Sequence, residues 1–344
     1  MEVQQFHNER IFMMKNNVKV AAVQASPVFL NLTATVEKAC GIIAEAADNG
    51  AELIVLPEAF IPGYPYWIWL GDPGWGMTFW KRLYKNSVTI PGPAVTRLSE
   101  TARKHNIYIC VSVTERDRGS LYLTQLWFDK EGNLMGKHRK IRPTGVERTI
   151  WGEGDGSTMP VFETEIGRLG GLMCWEHMMP TNAVIMDSKN EQIHAASWPA
   201  FAWDEKSVHH FETCRLASKY YAIATGTFVV LSSETLSQEA IDEMCGDDEY
   251  KRGIYKKGQG AGAQIINPAG KVISSVTEHD QEGISYADID LDDIIEAKYH
   301  MDCAGHYSKG GIVQLMYNQH SQEVVSAMGE EVDMGISYSQ LQES

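Results

Sequence analysis

The chain has 344 residues, of which 44% are hydrophobic and 22% are charged, and this composition excludes a largely disordered protein. Its 30 basic and 45 acidic residues give a net charge of −15, which would repel a phosphate backbone or an anionic membrane surface. No run approaches the roughly 20 uncharged apolar residues that a membrane span needs. We therefore expect neither nucleic acid nor a membrane as a partner.

The elements predicted along the chain alternate short apolar strands with helices that carry one apolar face, which is typical of an α/β protein. Strands are predicted over residues 18–24, 53–57, 108–115, 121–129, 133–137, 161–165, 169–173, 192–198, 228–232, 263–267, 272–276 and 283–289. Helices are predicted through Val36, Cys40, Ile43 and Ala47, through Val95, Leu98 and Ala102, and through Val208, Phe211, Cys214, Ala217 and Tyr221. Asn31 is expected to cap the first of these helices.

The chain has no repeat, no low-complexity stretch and no composition typical of a linker. We expect one domain over residues 18–310, preceded by a tail of residues 1–17. Residues 311–344 form an acidic extension without Lys or Arg, which we expect to be exposed or to dock against a partner.

Cysteine usage bears on the compartment. Disulfide frameworks belong to short secreted chains, whereas the cysteines here are scattered and include no C-x-x-C motif. The first residues also lack the apolar stretch of a signal peptide. We therefore predict a cytoplasmic protein with free thiols at all six positions, which are Cys40, Cys110, Cys174, Cys214, Cys245 and Cys303.

Four polar residues lie at or near the ends of predicted strands, where α/β proteins usually place their sites. Glu58 and Cys174 directly follow apolar strands, Lys140 follows the run 136–139, and Glu147 lies in the loop 142–148. A thiol becomes a good nucleophile when a carboxylate takes its proton and a cation stabilises the developing anion. Each residue also has a purely structural interpretation, as a packed cysteine, a loop glutamate or a solvated lysine. Spacing alone does not decide between these, because Lys140 lies 82 residues from Glu58 and 34 from Cys174.

Other site patterns fail on their spacing. Cys174 and His177 lack the further ligands that a zinc site needs, so we expect no metal. The aspartates of 288–293 depart from a calcium loop at its sixth and twelfth positions and are instead expected at a strand edge and a helix N-cap. Gly152, Gly154 and Gly156 are not followed by a predicted helix, so a dinucleotide site is not expected either.

Five segments together resemble the nitrilase superfamily of carbon–nitrogen hydrolases, and the resemblance extends from about Val18 to Tyr307. The segments are Leu-Pro-Glu-Ala-Phe (56–60), Pro-Gly-Tyr-Pro (62–65), Lys-His-Arg-Lys-Ile-Arg-Pro-Thr (137–144), Val-Glu-Arg-Thr-Ile-Trp-Gly-Glu-Gly-Asp-Gly (146–156) and Gly-Arg-Leu-Gly-Gly-Leu-Met-Cys-Trp-Glu-His (167–177). Their type and order are most similar to true nitrilases, including bacterial cyanide dihydratases. One departure is Gly145, where many nitrilases have histidine.

The resemblance implies a four-layer α-β-β-α sandwich that pairs across a dimer and extends into a spiral or filament. Residues 232–258 and the acidic extension would be the additional association surfaces. It assigns catalysis to Glu58, Lys140 and Cys174, with Glu147 as the family's second glutamate. Its pocket residues would be Tyr64, Trp175 and Trp198, and the backbone N–H of Trp175 would stabilise developing negative charge.

The implied reaction converts a small-molecule nitrile to a carboxylic acid and ammonia without a cofactor. Two enzymatic alternatives remain open with the same residues: conversion of cyanide to formate and ammonia, and hydrolysis of an amide or carbamoyl group. A third alternative is a protein that has kept the fold as an inactive, filament-forming scaffold.

Overall fold

The computed structural model describes residues 15–200, 209–255 and 258–322. The strands within these ranges are β1 (Asn17–Ala25), β2 (Leu53–Val55), β3 (Tyr108–Asp117), β4 (Ser120–Phe128), β5 (Leu134–Arg139), β6 (Val161–Thr164), β7 (Gly167–Met173), β8 (Ile193–Trp198), β9 (Phe228–Glu234), β10 (Gln264–Ile266) and β11 (Gly283–Asp290). The α-helices are α1 (Leu32–Asp48), α2 (Pro73–Lys85), α3 (Pro93–His105), α4 (Pro180–Ser188), α5 (His209–Thr225), α6 (Gln238–Cys245), α7 (Glu249–Ile254) and α8 (Asp293–His300). No helix among the described residues is long and apolar enough to cross a membrane.

Six strands form a continuous parallel series in the order β3, β2, β1, β9, β8 and β7. β4 is antiparallel to β3 and β5 is antiparallel to β4, so β5 runs in the same direction as the parallel series. The carboxyl ends of β2, β5, β7 and β8 therefore point toward the same edge. This topology directs the residues that follow these strands to one side of the molecule.

The two halves of the sheet face each other across an apolar core. This core joins Val55 and Trp127 of the first half to Leu169 and Ile193 of the second. Gln125 on β4 also reaches across it, because its side-chain amide donates to Ser197 Oγ on β8 at 3.0 Å. The two halves thus form the inner layers of a sandwich.

Helices cover both outer faces of the sandwich. α1 and α3 pack on the half that contains β1 to β4, and α4 and α5 pack on the half that contains β7 to β9. The predicted α/β sandwich, with helices outside two facing sheets, is confirmed.

The first helix illustrates how the local sequence specifies its element. The Asn31 side chain accepts a hydrogen bond from the backbone N–H of Ala34 at 3.1 Å, so Asn31 caps the helix as predicted. Val36, Cys40 and Ile43 then lie on the buried face, against the sheet. The apolar residues that predicted this helix therefore form the face that packs against the core.

Several helix and strand predictions need correction. The predicted strand over residues 272–276 is wrong. Its backbone pairs with the 263–267 segment through an isolated bridge between Val272 and Ile266 and a hydrogen bond from Ile273 N–H to the Ile265 carbonyl, but the Ser274 hydroxyl accepts from Ile265 N–H, so no regular strand forms. Helices α2, α4, α6 and α7 were not predicted. Asp292 does lie at the N-cap of α8, although its side chain makes no capping hydrogen bond.

The predicted tails fall largely outside the described ranges. Residues 1–14 and 323–344 are outside them, and so is Val208, which was assigned to the helix now seen as α5. Of the acidic extension, residues 311–322 are described and nearly all are exposed.

Candidate active site

Glu58, Lys140 and Cys174 lie at the carboxyl edge of the sandwich. Lys140 and Cys174 directly follow β5 and β7, and Glu58 lies three residues beyond the end of β2. All three side chains are at most 1% exposed. A polar cluster buried this deeply is stable only when its charges compensate one another.

The Lys140 ammonium is shared between two carboxylates. It donates to Glu58 Oε1 at 2.7 Å and to Glu147 Oε2 at 2.9 Å. Glu147 also accepts from the Tyr64 hydroxyl at 2.7 Å through Oε1 and from the Thr144 N–H at 2.6 Å through Oε2. Both oxygens of Glu147 are therefore occupied.

Glu58 differs from Glu147 because one of its oxygens is unused. Glu58 Oε2 is buried and has no hydrogen-bond partner among the described residues. The backbone on either side is fixed, since the Glu58 N–H donates to the Trp198 carbonyl and the Ala59 N–H to Ser112 Oγ. The site thus holds one carboxylate oxygen that is able to accept a proton.

Burial and neighbouring charge set the protonation of the cluster. Burial raises the pKa of Glu58 to about 8, against the opposing effect of the Lys140 ammonium. Burial alone would lower the pKa of Lys140, but the carboxylates of Glu147 and Glu58 raise it well above its usual value. The lysine therefore remains an ammonium ion.

Cys174 belongs electrostatically to the same cluster. Burial raises the pKa of its thiol well above the usual value, and among the neighbouring charges Glu58 raises it further while Lys140 lowers it. The nucleophile is therefore a neutral thiol at neutral pH. It becomes a strong nucleophile only when a base removes its proton during attack.

The backbone at Cys174 is held in an uncommon conformation. Its φ of +49° lies in the left-handed region that favours glycine, at the first residue of the 3₁₀ helix Cys174–Met178. The His177 ring holds the carbonyl of Cys174 through Nδ1 at 2.7 Å, and Glu176 accepts from the preceding N–H, of Met173, at 2.9 Å. Strain of this kind is concentrated at functional sites.

Of the predicted pocket residues, Tyr64 is hydrogen-bonded into the cluster and Trp175 is the half-buried neighbour of Cys174. The Trp198 indole instead packs in the outer apolar core, where it stacks on His177 with ring centroids 5.0 Å apart and donates to Ser218. The same core contains Cys174. Gly145 has a φ of +54° at the start of the turn that carries Glu147, a conformation that glycine adopts easily.

Sequence reasoning missed a row of buried polar groups behind Cys174. His177 Nε2 contacts His194 Nε2 at 2.9 Å, and His194 Nδ1 contacts Glu191 Oε1 at 2.9 Å. The Tyr221 hydroxyl donates to the other oxygen of Glu191 at 2.6 Å. Glu191 and His194 lie in a segment, 191–199, that adds to the family resemblance, but nothing in the sequence indicates their partners, so only the fold reveals these contacts.

His138 and Glu176 were also missed. They form a buried pair, with His138 Nε2 2.8 Å from Glu176 Oε2. Both lie inside segments that carry the family resemblance, and each is two residues from a candidate catalytic residue. No group of three or more metal-binding side chains suited to hold a metal ion occurs among the described residues.

Comparison with known proteins identifies the family. Residues 19–299 match the family model described as carbon–nitrogen hydrolase. The chain belongs to the carbon–nitrogen hydrolase family. Within this family it belongs to the nitrilase branch: it is 52% identical to a nitrilase of Bacillus sp. (strain OxB-1) over 324 residues, which cover 94% of this chain and 95% of that protein. It is also 45% identical to an aliphatic nitrilase of Rhodococcus rhodochrous, over 91% of this chain and 86% of that protein.

A solved structure agrees with the fold of this carbon–nitrogen hydrolase. The carbon–nitrogen hydrolase of Helicobacter pylori G27 superposes with a TM-score of 0.66, covering 83% of this chain and 93% of that one. At 20% sequence identity this similarity supports the sandwich architecture alone.

Proposed function

We propose that this carbon–nitrogen hydrolase converts a nitrile to a carboxylic acid and ammonia through a covalent intermediate on Cys174. The observation that carries the proposal is the unpaired Oε2 of Glu58, a buried base in the same cluster as a neutral thiol. The nitrilase names of the similar bacterial proteins support the choice of substrate class.

In the first step the Cys174 sulfur attacks the nitrile carbon while Glu58 Oε2 takes the thiol proton. A carbon–sulfur bond forms, one nitrile π bond breaks, and Glu58 passes the proton to the nitrile nitrogen. The product is a neutral thioimidate, and Glu58 is a carboxylate again. Glu58 suits this role because its raised pKa makes it a stronger base than an exposed carboxylate. Burying a charged thiolate would cost free energy, and the enzyme avoids this cost because the thiol stays neutral until substrate binds.

In the following steps water adds to the thioimidate carbon, again with Glu58 as base, and ammonia leaves to give a thioester. A second water then releases the carboxylic acid and restores the thiol. The Lys140 ammonium, and the Trp175 N–H beside Cys174, would stabilise the negative charge that develops during these additions. No step transfers an electron, so the proposal includes no redox cofactor.

Glu147 acts through Lys140 in this proposal. Its two oxygens accept from Lys140, Tyr64 and the Thr144 backbone, so it fixes the ammonium and has no oxygen free for a proton. Tyr64 would orient Glu147 in turn.

An amidase would use the same residues, but attack of the thiol on an amide gives a tetrahedral intermediate directly, and no thioimidate forms. Cyanide is a further candidate substrate, which would yield formate and ammonia. The similarity to two proteins named as nitrilases favours organic nitriles over both.

The deciding assay measures ammonia release from cyanide, a small aliphatic nitrile, benzonitrile, phenylacetonitrile and the matching amides. We expect turnover of at least one organic nitrile, with equimolar acid and ammonia. Turnover of amides alone would replace the proposal with an amidase, turnover of cyanide alone with a cyanide dihydratase, and no ammonia from any of them with a scaffold.

We also propose that copies of the chain associate. The exposed side of α5 presents Leu216, Tyr220 and Ile223, and Met178 and Met179 are exposed beside α4. Large apolar patches on a surface commonly mark protein contacts. The further association surfaces would be residues 232–258 of the 18–310 domain, which include α6 and α7, and the acidic extension of residues 311–344 beyond it.

Light scattering and electron microscopy test this association. A dimer or larger assembly, spiral or filament, is the expected result. A monomer would overturn the association, and a discrete dimer would overturn the spiral.

The free thiols at all six cysteines suit the reducing cytoplasm, which we propose as the compartment.

A further inference from the structure

A second buried ion pair lies beside the proposed catalytic cluster. His138 and Glu176 are each at most 4% exposed, and the ring and the carboxylate are 2.8 Å apart. The roles proposed for Glu58, Lys140 and Cys174 make no use of this pair. It nevertheless contacts the backbone next to Lys140 and next to Cys174.

The hydrogen-bond partners of His138 specify its charge. Nδ1 faces the Thr158 carbonyl oxygen and Nε2 faces Glu176 Oε2, so both ring nitrogens face acceptors. A neutral imidazole has only one N–H, whereas the imidazolium ion donates at both nitrogens. An imidazolium paired with a carboxylate satisfies both contacts.

The Glu176 carboxylate also accepts hydrogen bonds from two backbone N–H groups. Oε1 accepts from Ile141 N–H at 2.8 Å, and Oε2 accepts from Met173 N–H at 2.9 Å. Ile141 directly follows Lys140, and Met173 directly precedes Cys174. One carboxylate therefore joins the chain at the end of β5 to the chain at the end of β7, although these strands are not neighbours in the sheet.

We propose that the His138–Glu176 pair is a positioning device that fixes the Lys140 ammonium relative to the Cys174 sulfur. The proposal rests on the function proposed above. The imidazolium holds the Glu176 carboxylate in place, and the carboxylate holds the two backbone segments. Groups that orient reacting residues without touching substrate commonly contribute about 10–100-fold to activity.

Four variants separate positioning from packing. Glu176→Gln keeps the shape but replaces one acceptor oxygen with an NH₂ group that faces a backbone N–H donor. His138→Leu removes the donor to Glu176, whereas His138→Gln keeps one through its amide NH₂. The matched control is Glu115→Gln, because Glu115 is also buried and also pairs with β5, through Lys137 and Arg139.

The measurements are kcat and KM on a nitrile that the wild-type enzyme turns over, the thermal unfolding midpoint, and the rate at which iodoacetamide alkylates Cys174. We expect kcat to fall about 10–100-fold in Glu176→Gln and His138→Leu, with KM within about twofold. His138→Gln should keep a kcat at least about threefold above that of His138→Leu but below that of the wild type, because a neutral contact replaces a charge-assisted one. Alkylation should slow in the same order, and Glu115→Gln should keep kcat within about twofold.

Three results would overturn the inference: equal kcat in His138→Gln and His138→Leu when both are folded, a loss confined to KM, or an equal loss of kcat in Glu115→Gln. If Glu176→Gln does not fold, the two His138 variants decide. Failure of all three variants to fold would assign the pair to stability and reject positioning. An inactive wild-type enzyme would instead reject the proposed function, and the alkylation rates would then decide the positioning.

Discussion

The two faces of β5 carry two charge clusters of opposite design. Lys137 and Arg139 point to one face, where they pair with Glu115, while Lys140, just past the strand, points to the other and pairs with Glu58 and Glu147. On the first face the two cations are matched by two carboxylates, because Arg139 also pairs with the exposed side chain of Asp117. Burial would raise the pKa of Glu115, but the hydrogen bonds from Arg139 and Lys137 lower it. On the second face one cation serves two carboxylates, and burial raises the pKa of Glu58 to about 8.

The difference separates charges that hold a structure from charges that react. The cluster of Glu115, Lys137 and Arg139, the outer cluster, leaves no oxygen of Glu115 unoccupied, because both oxygens accept hydrogen bonds from cations. The cluster of Lys140, Glu58 and Glu147, the inner cluster, leaves one oxygen of Glu58 unoccupied within electrostatic range of the neutral Cys174 thiol. An excess of carboxylate over cation is costly for folding, and it is what provides a base at this site.

The largest expected effect follows from removing the nucleophile of the inner cluster. Cys174→Ala should lower kcat by at least about 10⁴-fold, since losing the nucleophile of such a unit removes nearly all covalent catalysis. The unfolding midpoint should stay close to that of the wild type. Ammonia release and thermal unfolding measure the two effects, and substantial residual turnover would remove Cys174 from the mechanism.

Removing the base should have the next largest effect. Glu58→Gln should reduce kcat/KM by about 10²–10⁴-fold, because an amide cannot accept the thiol proton. The variant keeps the side-chain volume, so far-ultraviolet circular dichroism should not change. A loss below about tenfold would mean that another group serves as base.

The raised pKa of Glu58 predicts the pH dependence. Below pH 8 the carboxyl is increasingly protonated and cannot act as a base, so kcat/KM should rise about tenfold per pH unit and level off above pH 8. Initial rates between pH 5 and pH 9 measure this profile. A rate that is already level at pH 5 would show that Glu58 is ionised there, and therefore that neighbouring charges cancel the effect of burial on its pKa.

Glu147 and Tyr64 should rank below Glu58 because they act through Lys140. We expect Glu147→Gln to reduce kcat by about 10–100-fold and Tyr64→Phe by at most about tenfold. Steady-state kinetics of the two variants and of their combination test the order. A larger loss in Tyr64→Phe than in Glu147→Gln would place Tyr64 in contact with the reacting atoms.

The outer cluster provides the smallest effect on activity. Glu115→Gln should keep kcat within about twofold, while lowering the free energy of unfolding by about 1–3 kcal/mol as charged hydrogen bonds are lost. Urea unfolding and ammonia release measure both quantities. A large loss of activity without a loss of stability would erase the distinction between the two faces.

The sequence predicted correctly those helices and strands that depend on residues within one short segment. The Asn31 cap and the apolar face of α1 lie within one segment, and both agree with the structure. The strand predicted over 272–276 was wrong because a Ser274 side chain, rather than a second strand, satisfies the Ile265 N–H. Helix α2 begins at an Asp72 cap and Pro73, but of its residues Gly76 and Leu83 are the buried ones, so few core positions mark it in the sequence.

The candidate site was only partly predictable for the same reason. Ends of strands marked the positions of Glu58, Lys140 and Cys174, because parallel strands direct their carboxyl ends to one edge. The pairing of His138 with Glu176 depends on the facing of two half-sheets, which no spacing in the sequence encodes. The unpaired oxygen of Glu58 likewise follows from the complete arrangement of neighbouring donors.

Mass spectrometry of the enzyme quenched with acid during turnover tests the central claim most directly. A thioester on Cys174 would increase the mass of the peptide that contains this residue by that of the acyl group derived from the nitrile. We predict this increase on Cys174 in the wild-type enzyme and its absence in Cys174→Ala. Full turnover with an unmodified Cys174 peptide, or an acyl group on Cys214 of the same apolar core, would contradict the account.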